Sequence, residues 1–135
     1  MKLDHVAIAV SDLEAAIEAF RDKLGLELER VEHVDSEGAR VAFFPIGDAH
    51  LELVSPARPD ASIARSIEKR GEGLHHVCFE VTDVVSEMER LTSRGVTMTN
   101  TKPTPGAGGS RVAFVHPKSM NGVLVELVEK PKSAC

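Results

Sequence analysis

Asp4-His5-Val6-Ala7-Ile8-Ala9-Val10 decides the fold, because a run of the same shape, His76-Val77-Cys78-Phe79-Glu80-Val81, follows 71 residues later (76 − 5 = 71). Gly38-Ala39-Arg40-Val41-Ala42-Phe43 returns at the same offset as Gly109-Ser110-Arg111-Val112-Ala113-Phe114 (111 − 40 = 71). His50-Leu51-Glu52-Leu53-Val54 returns as Leu124-Val125-Glu126-Leu127-Val128, shifted by 74 (126 − 52), so the second copy holds three extra residues in one turn. Self-similarity at a fixed period marks a duplicated structural unit. Each copy carries one His and one Glu at matching places. Four ligand-type side chains at equivalent points of two equivalent units can converge on one site, which is what a metal needs.

Working outward from these runs, residues 2–10 alternate as a strand, with Leu3, His5, Ala7 and Ala9 on one face and Val6, Ile8 and Val10 on the other. Ser11-Asp12-Leu13-Glu14 has the form of a capping box. A helix follows with an apolar stripe of Leu13, Ala16, Ile17, Phe20 and Leu24, ended by Gly25. Strands are expected over 26–34, 39–46 and 50–54, with turns at Ser36-Glu37-Gly38 and Gly47-Asp48. A linker with Pro56 and Pro59 carries a short helix from Ala61 to Arg70, stopped by Gly71. The second copy repeats the plan. A strand covers 74–81, Thr82 caps a helix bearing Val84, Val85, Met88 and Leu91, and Gly95 ends it. Strands are expected at about 96–100, 111–116 and 123–129, with Pro103 to Gly109 as a loop and a frayed tail from Lys130. The fold class is therefore α+β: two tandem βαβββ modules forming a cupped mixed sheet. Module 1 is 1–55, the linker 56–73 and module 2 74–130, all within a single domain, 1–135.

A chain of 135 residues with 42% hydrophobic content fits one globular domain. Its net charge of −5 offers no basic surface for nucleic acid or an anionic membrane. The two cysteines, Cys78 in a strand and Cys135 at the last position, make a structural bridge a poor reading and a reduced cytoplasm the simpler one. Neither a signal peptide nor a transmembrane run is visible. With no Tyr and no Trp, tyrosyl acids and large stacking platforms are out of reach. Cys-x-x-Cys, a nucleophile elbow and His-Glu-x-x-His are all missing, and Pro105-Gly106-Ala107-Gly108-Gly109 precedes a strand, so it is no phosphate loop.

Neighbouring side chains in a strand point to opposite faces. His5 is followed by Val6 and His76 by Val77; Glu52 lies between Leu51 and Leu53, and Glu126 between Val125 and Leu127. The aliphatics can bury one face against helices while the His or Glu points the other way, into a cup if the sheet curves. A carboxylate among large apolar neighbours is costly to bury unless paired or bound to a cation. The plainer alternative is that both glutamates face water on a half-exposed sheet. His75 projects opposite to His76, His50 shares the face of Glu52 as a second-choice ligand, and His33 and His116 fall at solvated turns or strand ends. Arg65, Lys69 and Arg70 form a solvated helix face. Two imidazoles and two carboxylates suit a divalent transition metal, and an octahedral ion would keep two positions open.

The duplicated plan with His and Glu in matched strands resembles the vicinal oxygen chelate (glyoxalase/bleomycin resistance/dioxygenase) superfamily. Leu3–Val10, Pro59–Ala64, Gly71–Val77 and above all His116-Pro117-Lys118-Ser119-Met120-Asn121-Gly122-Val123-Leu124-Val125-Glu126-Leu127 resemble its methylmalonyl-CoA epimerase branch. The likeness covers nearly the whole chain. It implies His5, Glu52, His76 and Glu126 as metal ligands, with Co first and Mn, Ni, Zn or Fe as alternatives. The implied reaction interconverts (R)- and (S)-methylmalonyl-CoA through a metal-stabilised enolate, with chelation of the thioester and carboxylate oxygens. Glu126 is the first candidate base. Some family members place a second catalytic Glu where this chain has Val41 and Ala42, so the second base is Glu52, Glu37 in the adjacent turn, or a water relay, with Glu52 favoured. Lys118 and Ser119 are candidates for the substrate carboxylate, a plain surface turn being the alternative. The resemblance also implies a homodimer. Rival functions are a lactoylglutathione lyase, which shares the His, Glu, His, Glu set, and a non-catalytic small-molecule-binding protein of the same fold.

Overall fold

The computed structural model describes residues 1–132. Cys135 and the end of the tail lie outside the described residues. Two compact units divide the chain: His5–His75 on one hand, and Met1–Asp4 with the segment from His76 on the other.

In the unit His5–His75, strand β1 (Lys2–Ala9) leads into helix α1 (Leu13–Ile17), then β2 (Arg30–Val34), β3 (Ala39–Ile46), β4 (Ala49–Pro56) and helix α2 (Ser62–Arg70). The strand order is β2-β3-β4-β1, with β1 and β4 parallel and the other pairs antiparallel. One face is the core: Ile8, Val10, Ala42, Phe44, Leu51 and Leu53 pack against Leu13, Ile17 and Phe20 of the helical segment. On the other face, Ala9, Ala39 and Val54 meet Ala61, Ile63, Ala64 and Ile67, so α2 closes one end of the surface that carries His5 and Glu52.

The second unit repeats this connectivity with β5 (Gly73–Glu80), α3 (Val84–Ser93), β6 (Thr104–Pro105), β7 (Arg111–Val115) and β8 (Val125–Glu129). Its order is β5-β8-β7-β6, with β5 and β8 parallel and β7 antiparallel to both neighbours. Phe79, Val81, Ala113, Val125 and Leu127 face Val84, Met88 and Leu91 of α3. Cys78, Val112, Phe114 and Val128 cluster on the opposite face.

Several local expectations are corrected. The first helix is α-helical only to Ile17 and continues as a π-helical segment, Glu18–Lys23. The amide of Leu24 bonds to Ala19 O at 3.0 Å, five residues back, which turns Leu24 out of the stripe and leaves it 66% exposed. Asp12, not Ser11, is the N-cap, accepting from Ala15 N at 3.1 Å. Ser11 N instead donates to Glu72 Oε1 at 2.7 Å, and Glu14 pairs with Arg40. The same displacement occurs in the second copy, where Asp83 rather than Thr82 caps α3 through Ser86 N. Val85 lies outside the apolar stripe of α3 and is exposed.

Strand β2 starts at Arg30 because Leu26 and Leu28 turn into the core before it. Residues 96–100 make only one bridge, Met98 to Val115. Two backbone bonds flank that bridge, Thr99 N to Phe114 O and His116 N to Thr97 O, both 2.8 Å, but Phe114 N donates to the side-chain Oδ1 of Asn100, so the pairing goes no further. The second strand of that copy in chain order is instead the two-residue β6, inside the stretch expected to be a loop.

Candidate functional site

Each unit brings its own His and Glu together. His5 on β1 and Glu52 on β4 approach to 3.3 Å between Nδ1 and Oε2, with side chains 12% and 16% exposed. The parallel register sets Ala7 beside Glu52 and His5 beside His50, so His5 reaches its partner diagonally across the pair of strands. His76 on β5 and Glu126 on β8 approach to 3.2 Å between Nε2 and Oε1, each 15% exposed. Strand alternation produces both contacts. Leu51 and Leu53, and likewise Val125 and Leu127, bury the helix-facing side, which forces each Glu to the opposite one.

Donor chemistry and spacing test whether such pairs suit a metal. Two ligand atoms held on one ion by bonds of about 2.1 Å lie about 3.0 to 3.4 Å apart for angles between octahedral and tetrahedral. The observed 3.3 and 3.2 Å fall in that range, and imidazole with carboxylate is an ordinary donor set for a divalent transition metal. Without an ion, the same spacing is a histidine–carboxylate contact.

The remaining histidines separate from these pairs. His50 Nε2 lies 3.4 Å from Glu29 Oε1, and its ring stands edge-on to Phe43. His33 is exposed beside Asp35. His116 is half-buried, and its Nδ1 accepts from Lys118 N at 3.1 Å, capping the short helical turn Pro117–Met120. Ser119 Oγ accepts from Thr97 N at 3.0 Å, while the Lys118 side chain is exposed. Val41 and Ala42 are buried and carry no proton. Glu37 sits in the exposed turn before β3.

A charged group escaped the sequence reading. Lys130 is held by Asp4 at 2.7 Å and Glu80 at 3.3 Å, so the chain is anchored there and not frayed. The hydrogen bond from Asp4 raises the Lys130 pKa above its ordinary value. The alternation that places Glu126 also places Lys130, four residues on, on the same strand face; that signal was present in the sequence. Elsewhere the shifted groups belong to the scaffold. Glu129 is held below the usual carboxylate range by Arg111 and by Val84 N, and Asp83 by Ser86 N.

Residues 4–114 match the Glyoxalase/Bleomycin resistance protein/Dioxygenase superfamily. The ethylmalonyl-CoA/methylmalonyl-CoA epimerase of Cereibacter sphaeroides is 40% identical over 128 residues, covering 93% of this chain and 96% of that protein. The chain belongs to this superfamily, and within it to the methylmalonyl-CoA epimerase family. A hypothetical protein from Bacillus halodurans C-125 superposes with a TM-score of 0.92 at 40% identity, covering 99% of this chain and 97% of that one. A point variant of Streptomyces coelicolor methylmalonyl-CoA epimerase in complex with 2-nitronate-propionyl-CoA superposes with a TM-score of 0.85 at 35% identity, over 98% and 99% of the two chains. The fold is thus the mixed-sheet, glyoxalase-like one expected from the repeat. Among the described residues, no helix is long and apolar enough to cross a membrane.

Proposed function

We propose that this member of the epimerase family interconverts the (R) and (S) forms of methylmalonyl-CoA at C2. In this reading His5, Glu52, His76 and Glu126 hold one divalent cation, cobalt by first choice, and the two units act as one domain around it. The observation that carries the reading is the repetition of a half-buried His–Glu contact, 3.3 and 3.2 Å long, at equivalent places of the two copies. The named activity of the Cereibacter relative and the acyl-CoA analogue bound by the Streptomyces relative supply the substrate class. Membership of this family makes the chain an isomerase.

A bound divalent cation supplies Lewis-acid stabilisation of negative charge developing on the substrate's oxygens. The chain's own residues do the rest. Glu126 takes the C2 proton from one face of the substrate, and Glu52 serves the other face, each later returning a proton in the reverse sense. Glu52 is favoured over Glu37 because it shares a strand face with His5 and is shielded from water, whereas Glu37 stands in an exposed turn. Lys118, exposed on the turn before β8, and Ser119, whose Oγ accepts from Thr97 N and keeps its O–H to donate, are the candidate partners for the substrate carboxylate.

The test is solvent-deuterium incorporation from each epimer in Glu52→Gln and Glu126→Gln variants, alongside elemental analysis. Each variant should lose exchange from one epimer preferentially. Full exchange from both epimers in Glu52→Gln removes that residue from proton transfer. Undiminished turnover in protein stripped of every divalent metal removes the metal.

A further inference from the structure

On its own face of the sheet, Glu52 is flanked by four positions. Phe43 stands across the antiparallel pair with β3, Ala7 across the parallel pair with β1, and His50 and Val54 lie two residues away along β4. Val54 is taken up by the cluster under α2, and Ala7 offers a single methyl group. Phe43 is therefore the one large apolar side chain directly beside Glu52. Alternation along β3 fixes the face, because Ala42 and Phe44 on either side of it are buried in the core with α1.

The ring of Phe43 is also braced. The Arg30 guanidinium lies over it, 3.9 Å from the centroid, and Arg30 is itself bridged to Glu29 and, at 2.8 Å, to Glu32. The His50 ring meets Phe43 edge-on, 6.4 Å between centroids, and His50 Nε2 lies 3.4 Å from Glu29 Oε1. With one face under a cation and a flank against an imidazole, this half-buried ring has little freedom to turn away. Cross-strand partners hold their Cβ atoms about 4.5–5.5 Å apart. A base that exchanges a proton with a substrate carbon stands about 3–3.5 Å from it. When Glu52 acts on C2, an alkyl group on that carbon thus falls within van der Waals reach of the Phe43 ring. Given the epimerase reading, with Glu52 facing the substrate, we propose that Phe43 is a specificity-determining residue. Its ring is the wall against which the C2 alkyl group of a 2-alkylmalonyl thioester packs, and its bulk limits how long that group can be.

Solvent-deuterium incorporation at C2 above the uncatalysed rate, followed by mass spectrometry on methylmalonyl-CoA and ethylmalonyl-CoA in parallel, gives the ratio of kcat/KM for the two thioesters. Both values come from one preparation, so any loss of folded protein cancels. Phe43→Ala should raise the ethyl-to-methyl ratio by about 10–200-fold, the range one methylene commands in an apolar pocket. Phe43→Leu, which keeps part of the bulk, should raise it less. Phe44→Leu trims the helix-facing layer one residue on and should leave the ratio unmoved, although it costs stability. A Phe43→Ala enzyme with the ratio of the unaltered chain overturns the proposal, as does a Phe44→Leu enzyme whose ratio moves as far as that of Phe43→Leu. Should Phe43→Ala fail to fold, Phe43→Leu carries the test by the same comparison. An unaltered chain that exchanges neither thioester overturns the epimerase reading and the assignment of Phe43 with it, a result distinct from an unmoved ratio.

Discussion

Leu53 and Leu127 each follow the glutamate of their copy, and truncating them measures how firmly the strand alternation is enforced. Leu53 is wholly buried and Leu127 is 1% exposed. Leu→Ala at such a site costs about 2.7–5.0 kcal/mol, the transfer of the lost carbons plus the cavity they leave. For 135 residues at about 2.1 cal/mol/K each, the unfolding entropy is about 0.28 kcal/mol/K, so Tm should fall by about 10–18 °C. Leu24→Ala is the decisive control. A helical stripe places Leu24 in the core, whereas the five-residue turn to Ala19 leaves it 66% exposed, so its loss should stay within about 0.5 kcal/mol. Urea unfolding followed by circular dichroism gives all three values on one scale, provided the slope m is unchanged. A Leu24→Ala cost comparable with that of Leu53→Ala would refute the outward turn. A Leu127→Ala cost below about 1 kcal/mol would refute the claim that this side chain fixes which way Glu126 faces.

Asp12→Ala should lower Tm by several degrees, because a helix N-cap contributes roughly 1 kcal/mol, while Ser11→Ala should change it little; equal losses in thermal melts would contradict the assigned cap. Acid titration should expose Glu129, whose pKa Arg111 depresses: the contribution is present above the unfolded pKa of about 4.3 and disappears as pH falls through the folded value. Arg111→Met should therefore flatten the loss of stability below about pH 4.3, and an unaltered acid limb would contradict the pairing. Adding a divalent metal at about 100 times its Kd should stabilise the chain by about 2.7 kcal/mol, or about 10 °C. Chelation should reverse the shift, and Glu52→Gln or His76→Ala should abolish it; a variant that keeps the full shift is not missing a ligand.

The two modules, their strand pairings and the meeting of His5 with Glu52 and His76 with Glu126 follow from features carried by single strands: a fixed offset and an alternation of faces. What escaped depends on a partner or a backbone angle. Residues 96–100 have the composition of a strand, yet the Asn100 side chain takes Phe114 N, so the pairing stops at one bridge with two backbone bonds. Ser11-Asp12 and Thr82-Asp83 each offer two capable cap acceptors in sequence, and only the extended angles at Asp12 (φ −120°, ψ 104°) and Asp83 (φ −144°, ψ 104°) decide between them. The choice falls on the second residue of the pair in both copies. Asp12 and Asp83 stand 71 residues apart (83 − 12), the offset of His5 and His76. Equivalence therefore extends from side-chain pattern to backbone angle and hydrogen bond. Two His–Glu contacts of nearly equal length within such a repeat are one arrangement made twice, and that is the arrangement the proposed chemistry requires.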